Sequence, residues 1–163
     1  MEGLKANEDK VGKRMLIEPK YGWVTVSIGN WMDRASYLTD VPIDALDAFI
    51  SSYNRWQPAT IKFDAEGWEY IVVIDDYETY IIDYFHDGNL YDKPVLTTVK
   101  ISKGELAKEL VNDIQSHFDE WVNWCSNDSG TEELPKYEQT LRDKLKTLKD
   151  LIDIPEALRK EYM

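Results

Sequence analysis

The chain has 163 residues, 43% of them hydrophobic and 12% aromatic, which suits a folded domain with a core of its own and excludes a disordered polar chain. Its net charge of −12 is uneven: Tyr21 to Cys125 carry 18 acids against 7 bases, so a middle domain holds nearly all of it and the two ends are close to neutral. Such a surface repels nucleic acid and anionic membranes, and it speeds the capture of basic proteins.

Residues 1–14 are charged and without periodicity, and residues 1–20 read as a mobile tail and lead-in. No apolar segment of a signal peptide stands there. From Tyr21 to Gly29 the pattern alternates, with Val24, Val26 and Ile28 on one face of a half-buried strand. Gly29-Asn30 turns the chain, and Trp31–Leu38 returns as a second strand.

A helix then starts with Asp40 as cap and Pro42 in the first turn. Ile43, Leu46, Phe49, Ile50 and Tyr53 fall on one face, and Pro58 ends the helix near Trp56. Three further hairpin-linked strands cover Thr60–Asp64, Trp68–Asp75 and Tyr77–His86, and a fourth covers Val95–Ser102. The faces of Tyr77–His86 are both aromatic or aliphatic. Connections this short imply an antiparallel meander.

Residues 103–125 switch to a single long helical period, with Leu106, Leu110, Ile114, Phe118, Trp121 and Cys125 in one stripe and Ser102 and Glu105 as a capping box. Ser126–Thr131 is a loop. Leu134, Tyr137, Leu141, Leu145, Leu148 and Ile152 mark a third amphipathic helix, and Asp153 caps a short last one to Tyr162. The fold class expected is α+β: one antiparallel sheet of about five to six strands with helices packed on one face, plus C-terminal helices. The division is a tail over 1–20, an acidic α+β domain over 21–125 and a helical appendage over 126–163.

Chemistry is sparsely marked. Asp64, Glu66 and Glu69 gather at one hairpin turn, and Asp75, Asp76 and Glu78 at the next. Successive turns of a meander lie at opposite ends, so the two groups do not converge on a metal or an acid–base pair. His86 and His117 have no local partners for catalysis or metal binding. Cys125, the only cysteine, sits on an apolar stripe as a small buried hydrophobe. A lone cysteine points to a reducing compartment, hence the cytoplasm. No phosphate-cradling glycine loop and no nucleophile elbow occurs. No enzyme, cofactor or metal is therefore expected. Lys144, Lys146 and Lys149, interleaved with acids, read as a solvated helix face.

The aromatic surplus remains: Trp23, Trp31, Trp56 and Trp68, then Tyr77, Tyr80, Tyr84 and Tyr91. If helices cover one face of the sheet, some of these occupy the other as a docking surface rimmed by acids. The partner-binding residues expected are Asp75, Asp76, Tyr80, Asp83, Tyr84, Asp87, Tyr91 and Asp92.

The stretch WMDRASYLTDVPIDALDAFISSYNRW, followed by IKFDAEGWEYIVVI and a long helix, resembles a broad group of small bacterial proteins. Some of that group are immunity proteins of polymorphic or contact-dependent toxin systems. The similarity covers about residues 20–125, and its markers are S-Y-L-T-D before a helix and F-D-x-E-G-x-E-Y on the next hairpin. The resemblance implies a cytosolic, non-catalytic protein that neutralises a cognate toxin. The charge makes that toxin domain basic. No binding residues carry over, since such contacts differ from pair to pair. Two alternatives stand beside it. One is a self-associating structural or regulatory protein using the C-terminal Leu stripe. The other is a carboxylate-based small-ligand or metal binder.

Overall fold

The computed structural model describes residues 14–124 and 134–154. Strands β1 (Leu16–Lys20), β2 (Trp23–Ile28) and β3 (Trp31–Ser36) form a three-stranded antiparallel sheet in that order. After α1 (Val41–Arg55), strands β4 (Ala59–Asp64), β5 (Trp68–Ile74), β6 (Thr79–His86) and β7 (Asn89–Val99) form a four-stranded antiparallel meander. Helices α2 (Lys103–Ser116), α3 (Phe118–Val122) and α4 (Leu134–Ile152) complete the order.

The α+β class holds, but the single sheet does not. The described strands divide into two sheets, with α1 between β3 and β4 in the chain, and β3 meets β4 and β5 through side chains instead of a ladder. Ser36 Oγ donates to the Asp64 carbonyl at 3.0 Å, and the Tyr70 hydroxyl donates to the Arg34 carbonyl at 2.8 Å. Trp31 meets Tyr70 edge-on, with ring centres 5.2 Å apart.

Within the expected tail and lead-in, residues 14–20 are packed on the domain. Met15 and Leu16 are fully buried, and β1 pairs with β2. The anchor is Asp113 of α2, whose carboxylate accepts from the Met15 and Leu16 amides at 2.7 and 3.0 Å and from Arg14 Nε at 2.9 Å. A left-handed Glu18 (φ 55°) and a register irregularity break the alternation that would have marked this strand in the sequence. Residues 1–13 lie outside the described residues.

Helix α1 follows the expected signals. Asp40 Oδ1 accepts from the Ile43 amide, Pro42 sits in the first turn, and Trp56 ends the helix in the left-handed region. Val41, Ala45, Leu46 and Phe49 are fully buried along its inner face.

Two boundaries differ from the sequence reading. The helical stripe over 103–125 is two helices, broken at His117 (φ −125°). The last hairpin is longer than expected, for β7 starts at Asn89 and not at Val95. Asp87 and Gly88 both take positive φ, which gives the two-residue turn whose twist matches paired strands. Residues 91–94 then bulge opposite Tyr84, so Asp92, Lys93 and Pro94 hide the strand's period.

Helix α4 lies against α1 and α2, and its Leu141, Leu145 and Leu148 belong to the common core. Lys144 Nζ reaches Asp47 Oδ1 at 2.6 Å, and the Tyr137 hydroxyl donates to Asp40 Oδ1 at 2.9 Å. Residues 134–152 are thus packed on the domain. Cys125, the loop Ser126–Thr131 and the short last helix to Tyr162 fall on residues 125–133 and 155–163, outside the described residues.

Candidate interaction surface

The cross-strand register sorts the four-stranded sheet into two faces. One is buried: Ala59, Ile61 and Phe63 of β4, Tyr70, Val72 and Ile74 of β5, Thr79 and Ile81 of β6. On the other, Thr60, Val73, Tyr80 and Thr98 form one row across the strands. Lys62, Ile71, Ile82 and Leu96 form the next. Asp64 and Glu69 continue it, with Tyr84 bulged beside them. The central residues of this face are only half-buried, by their neighbours in the sheet, and Leu96 on β7 is 61% exposed.

Its polar groups are held in pairs. The Tyr84 hydroxyl donates to Glu69 Oε2 at 2.6 Å, and Lys62 Nζ stands 3.3 Å from the same oxygen. The hydrogen bond from Tyr84 holds Glu69 below the usual carboxylate range, while desolvation and Glu69 push Tyr84 up to about 12. The Tyr80 hydroxyl likewise donates to Glu78 Oε1 at 2.6 Å, which lowers Glu78, and Lys100 lies 3.5 Å from Glu78. Each ring is thereby fixed by its own carboxylate, a preorganised aromatic contact that costs a partner little ordering entropy.

Only Tyr80 and Tyr84 of the eight expected residues share this face. Asp83 falls on the side of Tyr70, where desolvation and the nearby Asp33 raise its carboxyl. Asp75 and Asp76 hold the β5–β6 turn. The Asp75 carboxylate accepts from the Asp76 amide, and the Asp75 carbonyl accepts from the Lys103 amide at 3.0 Å. Asp76 Oδ1 stands 3.2 Å from Lys103 Nζ. That ammonium is buried at the start of α2, donates to Ser52 Oγ at 3.1 Å and lies 4.7 Å over the Tyr53 ring.

Asp87, Tyr91 and Asp92 sit at the far end of β6, about 23 Å away at the usual rise of a strand. There Trp68, His86 and Tyr91 stack in series, with centres 5.9 and 6.4 Å apart. Asp87 Oδ2 meets His86 Nδ1 at 2.9 Å. Trp68 Nε1 donates to both oxygens of Asp33 at 3.2 Å. The sequence reading missed the aliphatic centre, Ile71, Val73, Ile82 and Leu96. Its signal was the two apolar faces of β6, which need either two covering layers or a partner.

The remaining candidates have structural uses. Asp64 Oδ1 accepts from the Glu66 amide at 2.8 Å and shapes a turn. Among the described residues no group of three His, Cys, Asp or Glu is placed to hold a metal ion. His117 Nδ1 lies 3.8 Å from Glu120 Oε1, one turn on along the chain. Lys146 and Lys149 rim a shallow cavity of about 330 Å³ floored by Phe118 and Leu145, with Arg142 4.6 Å over the Phe118 ring. Lys144 is turned instead to Asp47.

Among the described residues no helix is long and apolar enough to cross a membrane. Compared with protein-family models, curated proteins and solved structures, the chain finds no match.

Proposed function

We propose that this chain is a non-catalytic protein-binding module that receives a basic protein on the open face of its four-stranded sheet. The observation that carries the reading is that face itself: Ile71, Val73, Tyr80, Ile82, Tyr84 and Leu96 lie side by side and are half-buried or exposed, while α1 borders the face at Thr60 and Lys62 of β4. An apolar, aromatic centre with carboxylates at its border is what a docking site requires. The excess of 18 acids over 7 bases between Tyr21 and Cys125 selects a basic partner and steers its approach. The resemblance of residues 20–125 narrows the partner to a toxin domain that the chain neutralises in the cytoplasm.

The Leu stripe that favoured self-association is consumed by packing of α4 on α1 and α2. Of the turn carboxylates that favoured a ligand site, Asp64 and Asp75 accept turn amides, Asp76 meets Lys103, and Glu69 and Glu78 accept from Tyr84 and Tyr80.

Tagged protein and its Ile82→Asp variant, used as baits in lysate of the cells that make the protein, test the reading at low and moderate salt. The expected result is one basic, salt-sensitive partner retained by the unaltered chain and lost by the variant, whose circular dichroism is unchanged. That partner, expressed alone, should arrest growth, and co-expression of this chain should restore it. Equal capture by both baits would reject the open face as the site, and a captured partner that is harmless alone would reject the immunity reading.

A further inference from the structure

We propose that the free edge of β7 takes an extended segment of the partner as a fifth strand of the four-stranded sheet, with basic and apolar side chains alternating along that segment. The inference rests on the reading of this chain as a module for a basic protein, and it names the mode of contact.

An end strand presents a row of unpaired N–H and C=O groups, and folded proteins normally blunt it. The other sheet ends here are blunted. β1 has five residues, among them Pro19, which lacks a donor, the left-handed Glu18 and Lys20. β3 faces β4 through Ser36, which donates to the Asp64 carbonyl, and Tyr70 of β5 donates to Arg34 of β3, while α1 lies against β4. β7 differs. It ends the order β4-β5-β6-β7, and among the described residues no strand pairs with its outer side.

Its segment Val95–Val99 reads VLTTV, without charge and mostly β-branched, with Val95 55% and Leu96 61% exposed. These are the features of a strand that invites another. Lys93 and Pro94 before it and Lys100 after it limit the pairing to about five residues.

Side-chain placement and charge then describe the occupant. Leu96 and Thr98 stand on the open face next to Ile82 and Tyr80, so an added strand continues the two rows already there. Its residues on that face therefore extend an apolar surface. Asp87 and Asp92 lie at the hairpin tip of the same strand pair, and the whole chain carries −12. A basic strand gains from that field, whereas a second copy of this chain would bring equal negative charge to the edge. Main-chain hydrogen bonds supply the general affinity of strand addition, and alternate side chains its selectivity.

The test uses the full chain labelled with ¹⁵N and a capped heptapeptide alternating lysine and valine. Amide exchange at alternate residues of Val95–Val99 should slow by about tenfold at saturation, because ladder amides exchange only on opening. Two analogues of the peptide, one N-methylated at every lysine and one at every valine, should part company. Successive amides of a strand point to opposite sides, so one analogue binds and the other does not. Leu96→Lys, on an exposed side chain, should weaken peptide binding by about tenfold with unchanged circular dichroism.

Shifts confined to Ile71, Tyr80, Ile82 and Tyr84, with β7 exchange unaltered, would overturn strand addition and leave the open-face reading standing. Equal binding of a glutamate–valine peptide, or of both methylated analogues, would overturn it too. Protection of Val95–Val99 that appears without peptide and rises with protein concentration would assign the edge to a second copy and reject a basic strand.

Discussion

Glu109 on α2 has one carboxylate oxygen, Oε2, that is buried and accepts no hydrogen bond. Desolvation, with Asp113 and Glu105 adding their repulsion, pushes its carboxyl up to about 8 from an ordinary value of 4.5. Unfolded, the group ionises near its ordinary value; folded, it keeps its proton until about pH 8. The folded state thus binds the extra proton between those limits, and stability falls as pH rises through that window. Glu109→Gln should remove this part of the pH dependence and stabilise the chain at about pH 9 by about 1 kcal/mol, a size that allows for the group's partial solvation. Urea unfolding at about pH 5 and about pH 9 measures it. A variant whose midpoint falls with pH as steeply as the parent's would show that Glu109 is not the cause. Such a residue is invisible in sequence, as is Asp113, whose partners Arg14, Met15 and Leu16 lie 97 to 99 positions away. Asp40 and Ser102 were legible because a cap bonds to an amide only three residues on.

At the scale of elements the same division holds. Helix α1 could be bounded from Asp40, Pro42 and Pro58 because each acts on its own turn. The stripe of α4 was legible too, but not what it meets. Period shows that Leu141, Leu145 and Leu148 share a face and says nothing of whether a neighbour in the same chain or in another copy covers it. Burial answers that, since Leu141 and Leu148 are wholly enclosed by the common core. Leu141→Ala should therefore cost about 2–5 kcal/mol of folding stability, the usual range for a leucine cavity. Thermal or urea unfolding gives the loss, and sedimentation of parent and variant should give the same mass. A variant as stable as the parent but altered in sedimentation would place Leu141 at an interface between copies. β1, the break at His117 and the early start of β7 escaped the pattern for separate reasons. A bulge, a single non-helical residue and a Lys93-Pro94 step each disturb a short period locally, while pairing across the sheet keeps the element intact.

For the molecule as a whole, charge is legible in amount from sequence and in effect only from structure. Both Asp76 and the pair Asp87 and Asp92 count equally toward −12, yet their surroundings differ. Asp76 stands 3.2 Å from the buried Lys103 ammonium, so its field is largely matched at close range. Asp87 and Asp92 lie at the exposed tip of the β6–β7 hairpin, where the near neighbour of Asp87 is the exposed His86 imidazole at 2.9 Å and not a buried ammonium. Long-range steering depends on charge that is not cancelled nearby. The double variant Asp87→Asn with Asp92→Asn should slow association with the captured basic partner by about threefold to tenfold at low salt, and the difference should vanish as salt screens it. Asp76→Asn should leave the association rate nearly unchanged. It should instead lower stability slightly, by about 0.5–1 kcal/mol, because Asp76 is itself largely solvated while Lys103 remains buried with Ser52 and the Tyr53 ring as its near neighbours. Stopped-flow association at two salt concentrations, set beside urea unfolding of the same proteins, separates the two roles. If Asp76→Asn slowed capture as much as the tip variant, the steering field would belong to the sheet as a whole and the hairpin tip would lose its distinct part in recognition.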